Sequence, residues 1–190
     1  MLIFLKKMVR NNRNKRWAWV LTGSGHFFDE CIDIISGLNK VDIFVSKAAE
    51  EVLRMYKNSL PDEARTFKDN TASAAPVGRF YQGLYHTLIM APISSNTVAK
   101  CVYGISDNLA TNVFAQSGKC RIYSICFACD TAPELESMAP KGMVKVFPRK
   151  IDLVNVKKLE TFEKTKIVDS MNGLKREIEK RKKWLKKSSS

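Results

Sequence analysis

Short apolar runs alternate along this chain with segments of helical periodicity, and small polar residues follow most of the runs. The clearest case is the run at residues 88–90, which leads through Ala91, Pro92 and Ile93 into the polar cluster Ser94, Ser95, Asn96 and Thr97. Apolar residues then recur every three or four positions, at Val98, Val102, Ile105, Leu109 and Val113. This pattern predicts a buried strand, a tight polar turn and one helix with Asn96 or Thr97 near its N-cap.

The same alternation extends over the rest of the chain. Short β-rich runs predict strands at 17–22, 41–45, 121–128, 144–148 and 166–168, and helical periods predict helices at 26–38, 48–56, 79–84, 154–162 and 170–187. Residues 57–78 show no apolar period and are expected to form a long loop over one edge of the sheet. The order strand, small-residue turn, helix, strand is typical of an α/β protein with a mainly parallel sheet.

Charge is distributed unevenly along the chain. Its 190 residues, enough for one well-buried domain, carry a net charge of +13. Residues 1–16 hold six basic residues and no acid, residues 174–190 hold eight basic residues against two acids, and the middle is close to neutral. The sequence therefore divides into a basic N-terminal arm at 1–16, a central domain at 17–169, and a basic C-terminal helix and tail at 170–190. The two ends are either solvated charge or a means of capturing an acidic partner.

Several partners and locations are disfavoured by the same composition. The near-neutral central domain gives no support for a nucleic-acid surface, so no nucleic acid is expected as a partner. No apolar run approaches the roughly 20 residues that span a bilayer, and the apolar residues 2–5 lack the charge order and cleavage site of a signal peptide. We therefore expect a cytoplasmic protein with no membrane partner.

Five cysteines, an odd number without a secretory signal, indicate a reducing compartment. Cys126 and Cys129 form a single C-x-x-C pair, and a zinc or iron–sulfur site would require Cys101 and Cys120 to converge on it. Because no second pair exists, we predict no metal site, and these cysteines are expected to be core thiols.

Small polar residues recur where the predicted strands end. They are Gly23, Ser24 and Gly25 after the first strand, Ser46 after the second, and residues 94–97 after a third. The glycine spacing does not match the G-x-G-x-x-G fingerprint, and no GK[ST] motif follows. Because ligands of open parallel sheets bind at the carboxyl ends of the strands, these turns predict a phosphate site; ordinary tight turns and helix caps are the alternative.

Two ordered motifs resemble a known superfamily. The sequence Thr22-Gly23-Ser24-Gly25, with Ser46 after the second strand, is similar to the phosphate-side turns of the flavoproteins that include the flavin-containing cysteine decarboxylases and flavin prenyltransferases. Residues 91–97 and 104–109 resemble their Pro-Ala-Ser-Ala-Asn-Thr-type motif and its downstream segment. The resemblance implies a Rossmann-like three-layer sandwich that binds FMN, and a trimer-based homo-oligomer with the flavin at subunit contacts.

Two departures point to a subgroup. Gly78 stands where the decarboxylases carry their catalytic histidine, and the substrate clasp of those enzymes is replaced by Cys129-Asp130-Thr131-Ala132-Pro133. Without an acid–base residue or a clasp, we do not expect a decarboxylase. The Cys-Asp-Thr-Ala-Pro segment and residues 148–156 resemble the archaeoflavoproteins and the related dihydromethanopterin reductases.

This resemblance implies a cofactor site and a function. The phosphate and ribityl groups of FMN would be held by Gly23, Ser24, Ser46 and residues 94–97, and the ring would face Ile93 and residues 129–132. With the adjoining positions, the predicted site comprises Thr22, Gly23, Ser24, Gly25, Ser46, Pro92, Ile93, Ser94, Ser95, Asn96, Thr97, Cys129, Asp130, Thr131 and Ala132. Arg149 is either an additional cation for phosphate or substrate, or an ordinary surface arginine. The expected function is electron transfer from ferredoxin, or another acidic electron carrier, to a second acceptor. The alternatives are a dihydromethanopterin reductase and a non-catalytic FMN carrier or shell protein.

Overall fold

The computed structural model describes residues 14–70, 74–139 and 142–188. The strands are β1 Arg16–Leu21, β2 Val41–Val45, β3 Arg65–Lys68, β4 Tyr85–Ile93, β5 Tyr123–Ala128, β6 Leu135–Ala139, β7 Gly142–Val146 and β8 Thr165–Val168. The helices are α1 Phe28–Ser36, α2 Lys47–Met55, α3 Gly78–Tyr81, α4 Ser95–Val102, α5 Leu109–Lys119, α6 Lys150–Glu160 and α7 Met171–Lys187, and a short 3-10 turn covers Ala75–Val77.

Six strands form one sheet in the order β3-β2-β1-β4-β5-β8, and every neighbouring pair is parallel. The order reverses between β1 and β4, which is the arrangement of a doubly wound Rossmann-like sheet. β6 and β7 form a separate antiparallel hairpin. The predicted α/β fold class with a mainly parallel sheet is therefore confirmed.

Helices cover both faces of this sheet. All nine residues of β4 are buried, as expected for a central strand with helices above and below it. One apolar cluster joins the sheet to α3, α4, α5 and α6, and it includes Phe80, Val98, Val113 and Leu159. The second cluster joins the opposite face to α1, α2 and α7, and it includes Phe28, Ile35, Ala49, Leu174 and Ile178. The three layers predicted from the resemblance are confirmed.

Two predictions about local structure are wrong. Residues 57–78 are not one loop, because β3 lies within them and pairs with β2 at the edge of the sheet. Its sequence Arg-Thr-Phe-Lys buries little, and only Phe67 packs against the core, so apolar periodicity gave no signal. The predicted single helix through Val98 and Val113 is two helices, since Gly104 adopts a left-handed φ of 71° after α4 and Asn108 caps α5.

For the β6–β7 hairpin, the sequence predicts the second strand but not the first, because β6 has no strong apolar pattern. The turn expected at residues 140–142 falls mostly outside the described residues, as does most of the N-terminal arm. Along the part of the chain that the structure describes, none of the helices is both long and apolar enough to cross a membrane.

The last helix, α7, packs on the chain's own sheet. Its stripe residues Leu174 and Ile178 are buried in the second apolar cluster, and Leu185 packs against that cluster. The helix starts beside the end of β8, where Gly173 lies next to Val168. It therefore runs back toward the strand starts, and its basic C-terminal half lies at the edge where the strands begin. We call this the amino edge, and the opposite one the carboxyl edge.

At the amino edge, Arg181 fastens α7 to the start of β4. Its guanidinium donates to Thr87 Oγ1 at 2.8 Å and to the His86 carbonyl at 2.9 Å, and it lies over the Tyr123 and Trp184 rings. The His86 ring is buried against Trp17, with Nδ1 2.9 Å from Thr87 Oγ1. Burial, assisted by the nearby positive charges of Arg181 and Lys15, lowers the pKa of His86 to about 3.

This buried imidazole should make stability depend on pH. Between about pH 3 and 6.5 the unfolded chain binds a proton at His86 that the folded chain does not, so stability falls as the pH falls through that range. At pH 5 the loss is about 2 kcal/mol relative to neutral pH. Urea unfolding of wild type and His86→Gln at pH 7 and pH 5 measures it, and the variant should lose about 2 kcal/mol less between the two. Equal losses in both proteins would show that His86 is not the responsible group.

Candidate functional site

The candidate site lies at the carboxyl edge, beside the point where the strand order reverses. The turn after β1 contains Gly23, whose missing side chain matters for packing: a Cβ there would lie 2.4 Å from the Ala48 Cβ at the start of α2. Glycine at this position therefore allows the turn to pack closely against α2, the helix that follows β2.

The Thr22 hydroxyl joins the ends of β1 and β4. It donates to the Pro92 carbonyl at 2.9 Å and accepts from the Ser94 N–H at 2.8 Å, and Thr22 itself is buried. The two turns on either side of the topological switch point are thus held by one side chain. One consequence is that the Ser94 N–H, which the sequence suggested as a phosphate donor, is already engaged.

Ser24 has its acceptor capacity occupied by the protein. Its Oγ accepts from the His26 N–H at 3.3 Å and from the Cys129 thiol at 3.0 Å. With both lone pairs used, the hydroxyl proton is what Ser24 has to offer a ligand. Burial raises the pKa of Cys129 to about 12, so this thiol is a neutral donor at physiological pH.

Ser46 performs a related role at the end of β2. It is the N-cap of α2, where its Oγ accepts from the Ala49 N–H at 3.1 Å while its own N–H donates to the Leu21 carbonyl at 3.1 Å. The helix start directs the positive end of its dipole toward the same edge as Ser24. A hydroxyl proton and a helix N-terminus together suit an anion.

The N-cap of α4 is Ser94, which is extended and whose carbonyl accepts from the Val98 N–H at 3.0 Å. Asn96 and Thr97 follow in the first helical turn, so they lie near the N-cap as predicted. The Ser94 hydroxyl lies 3.1 Å from Thr97 Oγ1. Asn96 is exposed in the first helical turn, where its amide side chain is available to a ligand.

Asp130 brings a carboxylate to this helix start. The Ser95 hydroxyl donates to Asp130 Oδ2, so the carboxylate stands at the positive end of α4. An acidic group there disfavours a phosphate and favours a neutral hydrogen-bond donor. Ser24 and Ser46 therefore offer better surroundings for an anion, and the Ser95–Asp130 pair suits a hydroxyl or an N–H donor.

Three predicted residues lie further from this centre. Thr131 lines a groove shared with α6, β8 and α7, and Ala132 is half-buried in the segment before β6. Arg149 is mostly exposed and is bound to Asp152 in the capping box of α6, with Nη2 2.8 Å from Oδ1. Asp152 raises the pKa of Arg149, with a smaller contribution from Asp130, which places this arginine at the rim of the site.

Residues that the sequence did not single out pack around Gly25, on one side of the site. The Tyr56 hydroxyl and the Met138 carbonyl both lie so close to Gly25 that a Cβ there would be 2.8 Å and 3.2 Å from them. The β6–β7 hairpin thereby closes over the first turn and leaves a cavity of about 230 Å³ with His26 and Glu136 in its lining. Burial lowers the pKa of His26, against the opposing effect of Asp130 and Glu30. The one sequence signal for this cavity is His26, which lies next to Gly25.

The cysteines do not converge as a metal centre would require. All five are free thiols; Cys126 lies in the first apolar cluster, whereas Cys129 contacts Ser24. In the part of the chain that the structure describes, no group of three or more histidine, cysteine or acidic residues is arranged to hold a metal ion.

The donor set can be compared with the chemistry of a flavin mononucleotide. The phosphate needs hydrogen-bond donors and positive dipole ends, and Ser24 and Ser46 supply both. The ribityl chain and ring need uncharged groups and hydrogen-bond acceptors, and Ser95, Cys129 and the Asp130 carboxylate supply them. The residues present therefore fit FMN. The Flavoprotein family model matches residues 5–183.

The chain belongs to the flavoprotein family. The structure of this flavoprotein is similar to that of Burkholderia xenovorans DmrB in complex with FMN, described as a cubic protein cage for redox transfer: the TM-score is 0.84, the identity is 47%, and the match covers 91% of this chain and 98% of that one. The resemblance inferred from Thr22–Gly25 and residues 91–97 is thus confirmed.

Two curated relatives come from methanogenic archaea. An uncharacterised protein of Methanocaldococcus jannaschii is 33% identical over 172 residues, which cover 85% of this flavoprotein and 92% of the relative. A dihydromethanopterin reductase (acceptor) of Methanosarcina mazei is 37% identical over 124 residues, which cover 57% of this flavoprotein and 52% of the enzyme. The match with that enzyme thus spans about half of its length.

The bridge made by Thr22 can be tested by an isosteric change. Thr22→Val should lower the free energy of unfolding by about 1–3 kcal/mol, because it leaves the Pro92 carbonyl and the Ser94 N–H without their partner in a buried place. Thr22→Ser retains the hydroxyl and is the matched control. Urea unfolding of the three proteins measures the effect; a loss in the serine variant as large as in the valine variant would assign it to packing of the methyl group.

Proposed function

We propose that this flavoprotein binds FMN at the carboxyl edge and transfers electrons from an acidic low-potential carrier, such as ferredoxin, to a second acceptor. The observation that carries the proposal is the convergence of Ser24, Ser46, Ser95 and Asp130 around the switch point, in a family whose Burkholderia relative is described with FMN and as a cage for redox transfer. When bound, FMN supplies the redox chemistry, a ring that accepts and releases electrons.

The chain's own residues would position and insulate that group. Ser24 and Ser46 would donate hydroxyl protons to the phosphate, and the start of α2 would add its dipole. Ile93 is buried at the end of β4, and the neutral Cys129 thiol follows β5, so these two residues would offer uncharged groups to the ring beside Asp130. Arg149, whose guanidinium is held by Asp152, would remain a rim cation.

A homo-oligomer forms part of the same proposal. Large apolar side chains are exposed together on the β6–β7 hairpin and at the start of α6: Met138, Met143, Val144, Phe147, Ile151 and Val154. A patch of this kind beside a binding site commonly marks a protein–protein contact. The cage described for the Burkholderia relative supports a second copy as the occupant.

A pterin reductase is the second candidate. It is favoured by the 37% identity with a dihydromethanopterin reductase of Methanosarcina mazei. Anaerobic mixing of the reduced flavoprotein with dihydromethanopterin distinguishes the candidates, because a reductase should reoxidise its flavin and form the tetrahydro product, whereas a carrier-to-carrier protein should leave the pterin unchanged.

The phosphate end of the site can be tested by a charge that retains the helix cap. Aspartate is as good an N-cap as serine, so Ser46→Asp should leave α2 intact while its carboxylate repels the FMN phosphate. We expect FMN to bind at least about tenfold more weakly. Quenching of flavin fluorescence on titration of the apoprotein measures this affinity.

Ser170, which caps α7 through the Gly173 N–H at 3.2 Å, offers the matched control. Ser170→Asp makes the same substitution at a helix start away from Ser24, and its FMN affinity should be unchanged. If Ser46→Asp binds FMN with wild-type affinity, the phosphate does not bind at Ser46. If FAD is extracted from the protein in place of FMN, the proposal that FMN is the cofactor is wrong.

The approach of an acidic carrier can be located by charge reversal. Electrons must reach the carboxyl edge, where Lys145 and Lys150 lie near the site, whereas Lys183 and Lys187 lie at the amino edge. The double variant Lys145→Glu/Lys150→Glu should therefore slow flavin reduction by reduced ferredoxin several-fold at low salt and flatten its salt dependence. Stopped-flow absorbance of the FMN-loaded proteins measures the rate.

Lys183→Glu/Lys187→Glu is the matched control, since it makes the same change of net charge at the opposite edge. If that control slows reduction and the first variant does not, the carrier docks at the amino edge. If ferredoxin fails to reduce a flavin that dithionite reduces readily, a ferredoxin-type donor is wrong.

A further inference from the structure

Three arginines surround one buried carboxylate at the amino edge. The Asp42 side chain is fully buried in β2, and the Nε atoms of Arg16, Arg65 and Arg79 lie 2.5, 3.8 and 3.6 Å from its oxygens. The arginine side chains are 16, 54 and 25% exposed, respectively. The cluster therefore holds a net charge of about +2 in a partly desolvated place.

Two hydrogen-bond donors are sufficient for the Asp42 carboxylate. Arg16 donates to Oδ1 at 2.5 Å and is fixed by a further bond from Nη2 to the Val41 carbonyl at 2.8 Å, while the Tyr85 hydroxyl donates to Oδ2 at 2.7 Å. These two donors already give each oxygen a short hydrogen bond. The Nε atoms of Arg65 and Arg79 are too far from the carboxylate to hydrogen-bond with it. The charge of Asp42 is already balanced by Arg16, so Arg65 and Arg79 are two additional positive charges.

The two surplus guanidiniums are held in place by other groups. Arg79 donates from Nε to the Tyr85 hydroxyl at 3.1 Å and lies over the Phe67 ring at 5.2 Å. Arg65 lies two residues before Phe67 on β3, so both side chains project from the same face of that strand. Asp62 and Glu63 precede β3, but within the described residues the ion pair found for Arg65 is the long one with Asp42.

Like charges gathered in this way repel unless an anion joins them. The surrounding edge carries further basic residues, which lie one or two positions before strands β2, β5 and β8: Lys40, Arg121 and Lys164. These three have left-handed φ angles of 55°, 53° and 56°, where glycine or asparagine is more usual. The amino edge therefore has a positive potential that favours anions.

We infer that Arg65 and Arg79 form a binding site for a phosphate group at the amino edge, separate from the candidate flavin site. Guanidinium forks match the oxygens of a phosphate, and a dianion balances the surplus charge of the cluster. The ligand is either inorganic phosphate or a small phosphate monoester, since both present the same group.

The test uses the FMN-loaded protein, so that the flavin already fills the other phosphate site. Thermal unfolding midpoints are measured against increasing sodium phosphate, glycerol phosphate and, at equal ionic strength, sodium chloride. We expect a saturable rise with phosphate that chloride does not reproduce. A lower half-saturating concentration for glycerol phosphate than for inorganic phosphate would identify a monoester as the ligand, and the reverse would identify the free ion.

Two variants assign the effect to the arginines. Arg65→Gln should raise the half-saturating phosphate concentration about tenfold, as expected for one lost charge-assisted contact. Arg54→Gln, an equal change on the exposed side of α2, is the matched control and should behave as wild type. If Arg65→Gln proves unstable, Arg79→Lys retains the positive charge but removes the fork, and it should weaken binding in the same direction.

The inference is overturned if phosphate stabilises no more than chloride, or if Arg65→Gln and Arg54→Gln respond to phosphate alike. Either result would show that the arginines serve only to shield Asp42. Flavin content, read from the visible spectrum of the same samples, should be equal in all variants, so a failure here leaves the proposed flavin function untouched.

Discussion

The geometry of the candidate site depends on the hydroxyl of Thr22. In a doubly wound sheet the chain turns in opposite directions after β1 and β4, and a crevice opens between them. Thr22 spans that crevice by bonding both the Pro92 carbonyl and the Ser94 N–H, so the two turns have a fixed spacing. Because the hydroxyl satisfies backbone groups that would otherwise be buried and unpaired, no purely apolar side chain could replace it without loss.

This constraint also determines which donors remain for a ligand. With the Ser94 N–H engaged, we propose the hydroxyl protons of Ser24 and Ser46 as donors to the phosphate. Within the protein, Ser24 Oγ accepts two hydrogen bonds and Ser46 Oγ accepts one. Asp130 then makes the α4 end of the crevice suitable for a neutral or donating group. In this proposal, the hydroxyl donors of Ser24 and Ser46 lie at one end of the site and the acceptor carboxylate of Asp130 lies at the other. A flavin mononucleotide has its phosphate at one end and its ring at the other, which matches this arrangement.

Much of this could be predicted from sequence, and the remainder fails for identifiable reasons. Strand β1 stands out because its apolar residues are continuous, and β2 and β5 stand out because only one polar residue each, Asp42 and Ser124, interrupts theirs. The small polar turns mark the ends of these strands. β3 escapes because its one packing residue, Phe67, has no apolar neighbour in its strand. The bond between Thr22 and Ser94 joins positions 72 apart and the Ser24–Cys129 contact joins positions 105 apart, so no local pattern could reveal them. The break after α4 could have been found from Gly104 and Asn108, which are ordinary stop and start signals.

The proton chemistry of the site bears on what the flavin would do there. Cys129 stays a thiol because burial raises its pKa, and burial also lowers the pKa of His26, so at neutral pH neither the thiolate nor the imidazolium is favoured. The Asp130 carboxylate accepts a hydrogen bond from the Ser95 hydroxyl. In the proposed electron carrier, the proton that a flavin takes up on reduction can come from water, and no proton donor is needed beside a substrate. Reduction of a dihydropterin adds a proton to the substrate itself, so in the alternative proposal the pterin would have to obtain that proton from water.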